Sequence, residues 1–148
     1  MAFAKALTTI LVKNKIFSQE EADSLQKAFK ESSKPSFDYF LLEEGLIQKE
    51  DLLKALSEHY QVPYFDASGF FFQTFLLKKF PKDFLLRNGI IPIQQDGNML
   101  MMLASSPENP ELLPKIGEHV SYDIRFRVGL MRDIIDAIQT YYEPSVTE

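Results

Sequence analysis

The chain has 148 residues, 45% of them apolar, and a formal net charge of −5, enough length for one ordinary domain or two small subdomains sharing an interface. Cysteine is absent and the only histidines are His59 and His119, which excludes a disulfide framework, a thiolate metal site and a histidine-rich one. The acidic balance disfavours nucleic-acid binding, because phosphate backbones repel such a chain.

The opening Met1-Ala-Phe-Ala-Lys-Ala-Leu lacks the unbroken apolar core of a signal peptide. No run of about 18 apolar residues occurs, and the longest apolar stretches, 70–72 and 99–104, are too short to span a bilayer. A cytoplasmic chain is expected, with any membrane association made through a partner and not by direct insertion.

The first sixty residues contain two similar segments, aligned when Lys15 is laid on Gly45, an offset of 30 residues. Each reads as helix, tight break, helix. In the first copy Leu7, Ile10 and Leu11 form a short stripe, Asn14-Lys15 make the break, and Ser18-Gln-Glu-Glu21 is a capping-box pattern opening the next helix. Ala22, Leu25, Ala28 and Phe29 then define one expected buried face. In the second copy Phe37, Phe40 and Leu41 form the stripe, and Gly45 stands where a helix needs a left-handed terminating residue. The following helix, 49–60, carries Leu52, Leu53, Leu56 and Tyr60 on one face. Pro35 helps start the second copy. Hairpins this small cannot bury their apolar faces alone, so the two copies are expected to pack on each other.

Beyond Tyr60 the pattern becomes mixed. Residues 62–65 read as a short extended run, and a helical segment follows from Phe75, with Pro81 either kinking it or opening a second short helix to Asn88. The apolar runs 90–95 and 98–104 flank Asp96-Gly97, which predicts a hairpin. A two-residue loop there places Ile93 opposite Leu100, Ile91 opposite Met102 and Pro92 opposite Met101, with 90–95 as an edge strand that tolerates Pro92. Residues 106–110 break the chain before a helix to about Gly117, 122–128 alternates as a third strand, and 131–142 is a final helix with Ile134, Ile135, Ile138 and Tyr142 along one side. The expected fold is α+β: a helical-hairpin repeat followed by a small, mostly antiparallel three-stranded sheet packed with helices. The expected boundaries are a helical subdomain at 1–60, an α/β subdomain at 61–142 and a tail at 143–148.

No Gly-Lys-Ser/Thr phosphate loop and no Gly-x-Gly-x-x-Gly occurs, so nucleotide hydrolysis is not expected. A nucleophile elbow is also missing. The carboxylate pairs Glu43-Glu44 and Glu50-Asp51 read as helix-end charges, and His59 as a structural histidine on an amphipathic helix. Lys78, Lys79, Lys82 and Arg87 read as a solvated helix face. No catalytic, cofactor-binding or metal residue is expected.

From 37 to 142 the chain resembles the amino-terminal domain of type II secretion and type IV pilus assembly ATPases, the general secretory pathway protein E family. The residues that carry the resemblance are Leu-Leu-Glu-Glu-Gly-Leu-Ile (41–47), Asp-Leu-Leu-Lys-Ala-Leu-Ser-Glu-His-Tyr-Gln-Val-Pro-Tyr-Phe-Asp (51–66), Ile-Pro-Ile-Gln-Gln-Asp-Gly (91–97), Ala-Ser-Ser-Pro-Glu-Asn-Pro (104–110) and Ala-Ile-Gln-Thr-Tyr-Tyr (137–142). The resemblance implies a bacterial, non-catalytic domain that docks to the cytoplasmic part of an inner-membrane platform protein. The motor lies carboxy-terminal in family members, so the sequence reads as an excised domain or a stand-alone copy. A stand-alone signalling adaptor is a further alternative.

Some relatives in this family bind cyclic di-GMP through two copies of Arg-Leu-Gly-x-x-Leu-x-x-x-Gly-x-x-x-x-x-x-Leu-x-x-x-Leu-x-x-Gln. The second copy here keeps Leu41, Gly45, Leu52 and Leu56, but Ser36, Phe37, Asp38 and His59 replace Arg, Leu, Gly and Gln, and the first copy has Lys15 for its glycine. The lost residues are the hydrogen-bonding ones, and Asp38 would repel a phosphate, so the departures argue against cyclic di-GMP. A second-messenger receptor is the rival reading.

The segment Gly69-Phe-Phe-Phe-Gln-Thr-Phe75 gathers Phe70, Phe71, Phe72 and Phe75 between Asp66-Ala-Ser and Lys78-Lys79. Neither a helix nor a strand points three neighbours the same way. At least one ring is therefore expected at the surface as a candidate partner interface. The alternative is that all four are core.

Overall fold

The computed structural model describes residues 2–142, so the expected tail at 143–148 lies outside the described residues. The chain divides into two compact units, Met1–Gln61 and Val62–Glu148.

The first unit holds α1 (Ala2–Lys13), α2 (Gln19–Lys30), α3 (Phe37–Glu43) and α4 (Lys49–Tyr60). The internal repeat is visible in its hydrogen bonds. Lys15 and Gly45 both take positive φ, 64° and 69°. Lys15 N–H donates to the carbonyl of Val12 and Ile16 N–H to that of Leu11; Gly45 N–H donates to Leu42 and Leu46 N–H to Leu41. These are two copies of one Schellman motif, the first made by a lysine whose Cβ is strained there. Ser18 completes the capping box, with Glu21 N–H donating to Ser18 Oγ at 3.1 Å and Ser18 N–H to Glu21 Oε1 at 2.8 Å.

Helix α1 packs on α2, α3 and α4, around a core of Leu7, Leu11, Phe37, Leu41, Leu52, Leu53 and Leu56. Lys13 Nζ and Asn14 Nδ2 donate to the Glu58 carboxylate, each at 2.8 Å, tying the end of α1 to α4. The hydrogen bond from Lys13, then that from Asn14, hold this carboxyl below its ordinary range. On α2, Ala22 is buried and Leu25 and Phe29 are half-buried, but Ala28 is exposed, contrary to expectation. Helical geometry carries Ala28 about 120° round from Ala22. Gln26 lies nearer the stripe, and its Nε2 donates to Thr8 Oγ1 at 3.0 Å.

The second unit contains a three-stranded mixed sheet in the order β1 (Ile90–Asp96), β2 (Met99–Ala104), β3 (Asp123–Val128). β1 is an edge strand antiparallel to β2, while β3 runs parallel to β2, reached through the connection that holds α7 (Leu112–Gly117). The expected extended run at 62–65 contributes an isolated parallel bridge, Tyr64 to Val128. Helices α5 (Thr74–Leu77), α6 (Lys82–Asn88) and α8 (Met131–Tyr142) complete the unit, with Pro81 as the N-cap of α6. Leu76, Leu77, Leu85, Ile90, Ile91, Leu100, Met102, Leu103, Ile134 and Ile138 form one continuous core.

The hairpin is present, but its register differs from the expected one. Asp96 pairs with Met99, Gln95 with Leu100 and Gln94 with Met101; beyond a bulge at Ile93, Pro92 pairs with Met102 and Ile91 with Leu103. The loop is therefore Gly97-Asn98 and not Asp96-Gly97. Gly97 has φ +60° whereas Asn98 does not adopt positive φ, the arrangement of a II′ turn, which needs glycine at its first central position. Pro92 has no N–H for the ladder, and a bulge beside it is a position where proline is tolerated.

Candidate functional site

The aromatic segment 70–75 separates its rings by environment. Phe72 is 1% exposed and Phe70 is half-buried, whereas Phe71 is 81% and Phe75 57% exposed. The alternative that all four rings are core does not hold. Two restraints shape this loop. Gly69 takes φ +75°, and Phe72 N–H donates to the Tyr141 hydroxyl at 3.0 Å. Phe72 and Phe70 meet edge to face at 4.8 Å between centroids, and Phe72 and Tyr141 at 5.6 Å. With both its neighbours turned towards the core, Phe71 is directed outward, its ring 6.4 Å from that of Tyr141.

The loop forms one wall of a cleft whose other wall is α8. Asp133, Asp136, Ala137, Thr140 and Tyr141 line it, at the three- and four-residue steps of one helix face. Ile134 and Ile138 face the core instead. This second face of α8 was missed in the sequence, where only the apolar stripe was recognised; its spacing was legible, but the loop it faces was not. Tyr142 was assigned to the apolar side without regard to its hydroxyl, which donates towards the carbonyls of Leu77 at 2.6 Å and Phe80 at 2.8 Å. Burial raises the phenol above its ordinary value.

The residues of the dinucleotide motif lie apart in their environments. Leu41, Leu52 and Leu56 are buried in the helical core, and Gly45 is the exposed αL residue of the second Schellman turn. His59 is half-buried, its ring 5.2 Å from Phe3 and 4.6 Å from Tyr60. Asp38 is buried, and the Oγ of Ser36 is buried without a hydrogen-bond partner among the described residues. Among the described residues there is no cluster of three or more His, Cys, Asp or Glu placed to hold a metal ion. No described helix is long and apolar enough to cross a membrane.

Comparison with known proteins gives this fold a family. The type IV pilus assembly ATPase PilB of Myxococcus xanthus (strain DK1622) is 25% identical over 138 residues, which are 92% of this chain and 24% of that protein. The chain thus spans about a quarter of the length of this curated relative. A structure of MshE with cdg superposes with a TM-score of 0.71 at 20% identity, covering 92% of this chain and 98% of that one. The N-terminal domain of XpsE gives a TM-score of 0.65 at 18% identity, covering 93% and 94%. The MshEN domain model matches residues 60–148, more than half the sequence. The chain therefore belongs to the MshEN domain family, the amino-terminal domain of type II secretion and type IV pilus assembly ATPases.

Proposed function

We propose that this chain is a non-catalytic docking and regulatory domain of type II secretion or type IV pilus machinery, working in the cytoplasm and binding the cytoplasmic part of an inner-membrane platform protein. The observation that carries the reading is the outward presentation of Phe71 on a hydrogen-bonded loop. An 81%-exposed phenylalanine gives up hydrophobic free energy in the isolated domain and regains it when covered. Aromatic anchors of this kind commonly dominate interfaces. The sequence has no phosphate loop, so motor chemistry is assigned to another part of the machinery. The test is binding of this chain to the platform cytoplasmic domain, with Phe71→Ser and Phe75→Ser alongside the parent. Weakened binding at an unchanged thermal midpoint supports the reading; unaltered binding by both variants contradicts it.

A second reading is cyclic di-GMP binding by the helical unit. It is favoured by the likeness to MshE with cdg, and by two helix–turn–helix copies whose Schellman turns repeat at the same spacing. The departures at Ser36, Asp38 and His59 weigh against it, whereas the orphaned Ser36 hydroxyl is a polar group that a ligand could satisfy. A calorimetric titration with cyclic di-GMP separates the readings. Saturable heat lost in Gly45→Ala establishes the receptor reading, and an absence of heat removes it.

A further inference from the structure

The cleft between the aromatic loop and α8 encloses about 430 Å³. Among the described residues, Asp133 and Asp136 are the only charged ones in its lining. The Asp133 side chain is largely covered and lies 3.8 Å from Arg132 Nε, while Asp136 is exposed. Ala137, half-buried, follows it in the lining. On the opposite wall stands the exposed ring of Phe71. A carboxylate and an aromatic face on one concave site favour a cation, the first by charge and the second by its quadrupole. A planar guanidinium can use both at once, hydrogen bonding to the carboxylate while stacking on the ring. Arg132 offsets part of the Asp133 charge, which leaves the exposed Asp136 as the carboxylate that favours a cation over an anion.

We propose that this cleft receives an arginine side chain from a basic segment of a protein partner. The proposal rests on the docking reading and gives that partner its chemistry. Charge complementarity supports it, since a chain of net charge −5 steers basic surfaces towards itself. The positive φ of Gly69 and the Phe72–Tyr141 hydrogen bond set the loop in place before binding, which lowers the ordering cost of an encounter.

The test is an NMR titration of the nitrogen-15-labelled full chain with the peptide acetyl-Leu-Arg-Leu-amide and with its neutral analogue carrying citrulline for arginine. The arginine peptide should shift amides at 69–72 and 133–141, and the citrulline peptide should bind at least about threefold more weakly. Asp136→Asn and Phe71→Ser should each weaken the arginine peptide by a similar factor without moving the thermal midpoint. Equal binding of the two peptides, shifts centred on the acidic residues of the helical unit such as Glu20 and Glu21, or indifference to Asp136→Asn would overturn the proposal. Failure here, with Phe71→Ser still weakening the platform domain, removes the arginine and leaves the docking reading. Arginine selectivity without platform binding does the reverse.

Discussion

Phe71 and Phe72 are neighbours in sequence and opposites in environment, and under the docking proposal that contrast should separate binding from folding one residue at a time. Phe72 is 1% exposed and packs on Phe70 and Tyr141, so Phe72→Ala should cost about 3–5 kcal/mol of stability. Phe71→Ser removes a ring that is 81% exposed, and its cost should stay within about 0.5 kcal/mol. Chemical denaturation of the two variants checks both values, and a large loss for Phe71→Ser would return that ring to the core. The motif residues behave like Phe72: Leu41, Leu52 and Leu56 are core positions, and each leucine-to-alanine change should cost about 2–5 kcal/mol whether or not a ligand is present.

At the level of elements, the repeat predicts opposite signs for two related substitutions. Gly45→Ala puts a Cβ on a residue at φ +69° and should cost about 1 kcal/mol. Lys15→Gly removes one from φ +64° and should gain up to about 1 kcal/mol, offset in part by glycine's larger unfolded-state entropy. Urea midpoints of the two variants check the signs. Tyr142 fixes the last turn of α8 to the α5–α6 link through Leu77 and Phe80. Its raised pKa means that the folded state holds the phenolic proton more tightly than the unfolded chain. That contribution is complete below about pH 10 and is lost as pH rises through the folded value. Tyr142→Phe should cost about 1–2 kcal/mol at neutral pH and should show a shallower fall in thermal midpoint above about pH 10 than the parent.

The elements were legible where local chemistry decides them. The 30-residue offset emerged from the spacing of leucines and one glycine and the capping box from Ser18 and Glu21, whereas Pro81 left a kink and a new helix start both open, and the structure places it as the N-cap of α6. The hairpin register was not legible, because Asp-Gly and Gly-Asn loops compete in Asp96-Gly97-Asn98 and a bulge beside Pro92 shifts the pairing again. The parallel pairing of β3 depends on how the α7 connection returns, which alternation along one strand does not encode. The aromatic wall of the candidate site was visible in the sequence, while the wall contributed by α8 depends on tertiary packing.

For the whole molecule, the proposed reading assigns docking to this chain and expects no nucleotide hydrolysis from it. A phosphate-release assay with ATP or GTP should give no turnover, since the sequence lacks the phosphate loop that chemistry needs. Activity that survives repurification and follows a point mutation in this chain would contradict that expectation. The central claim, that the loop carrying Phe71 and the facing side of α8 form the docking surface, is tested most directly by hydrogen exchange on the chain alone and with the platform cytoplasmic domain. The account predicts slowed exchange concentrated at 68–75 and 133–141 in the complex. Slowed exchange confined to 2–61, with those two segments unchanged, would contradict it.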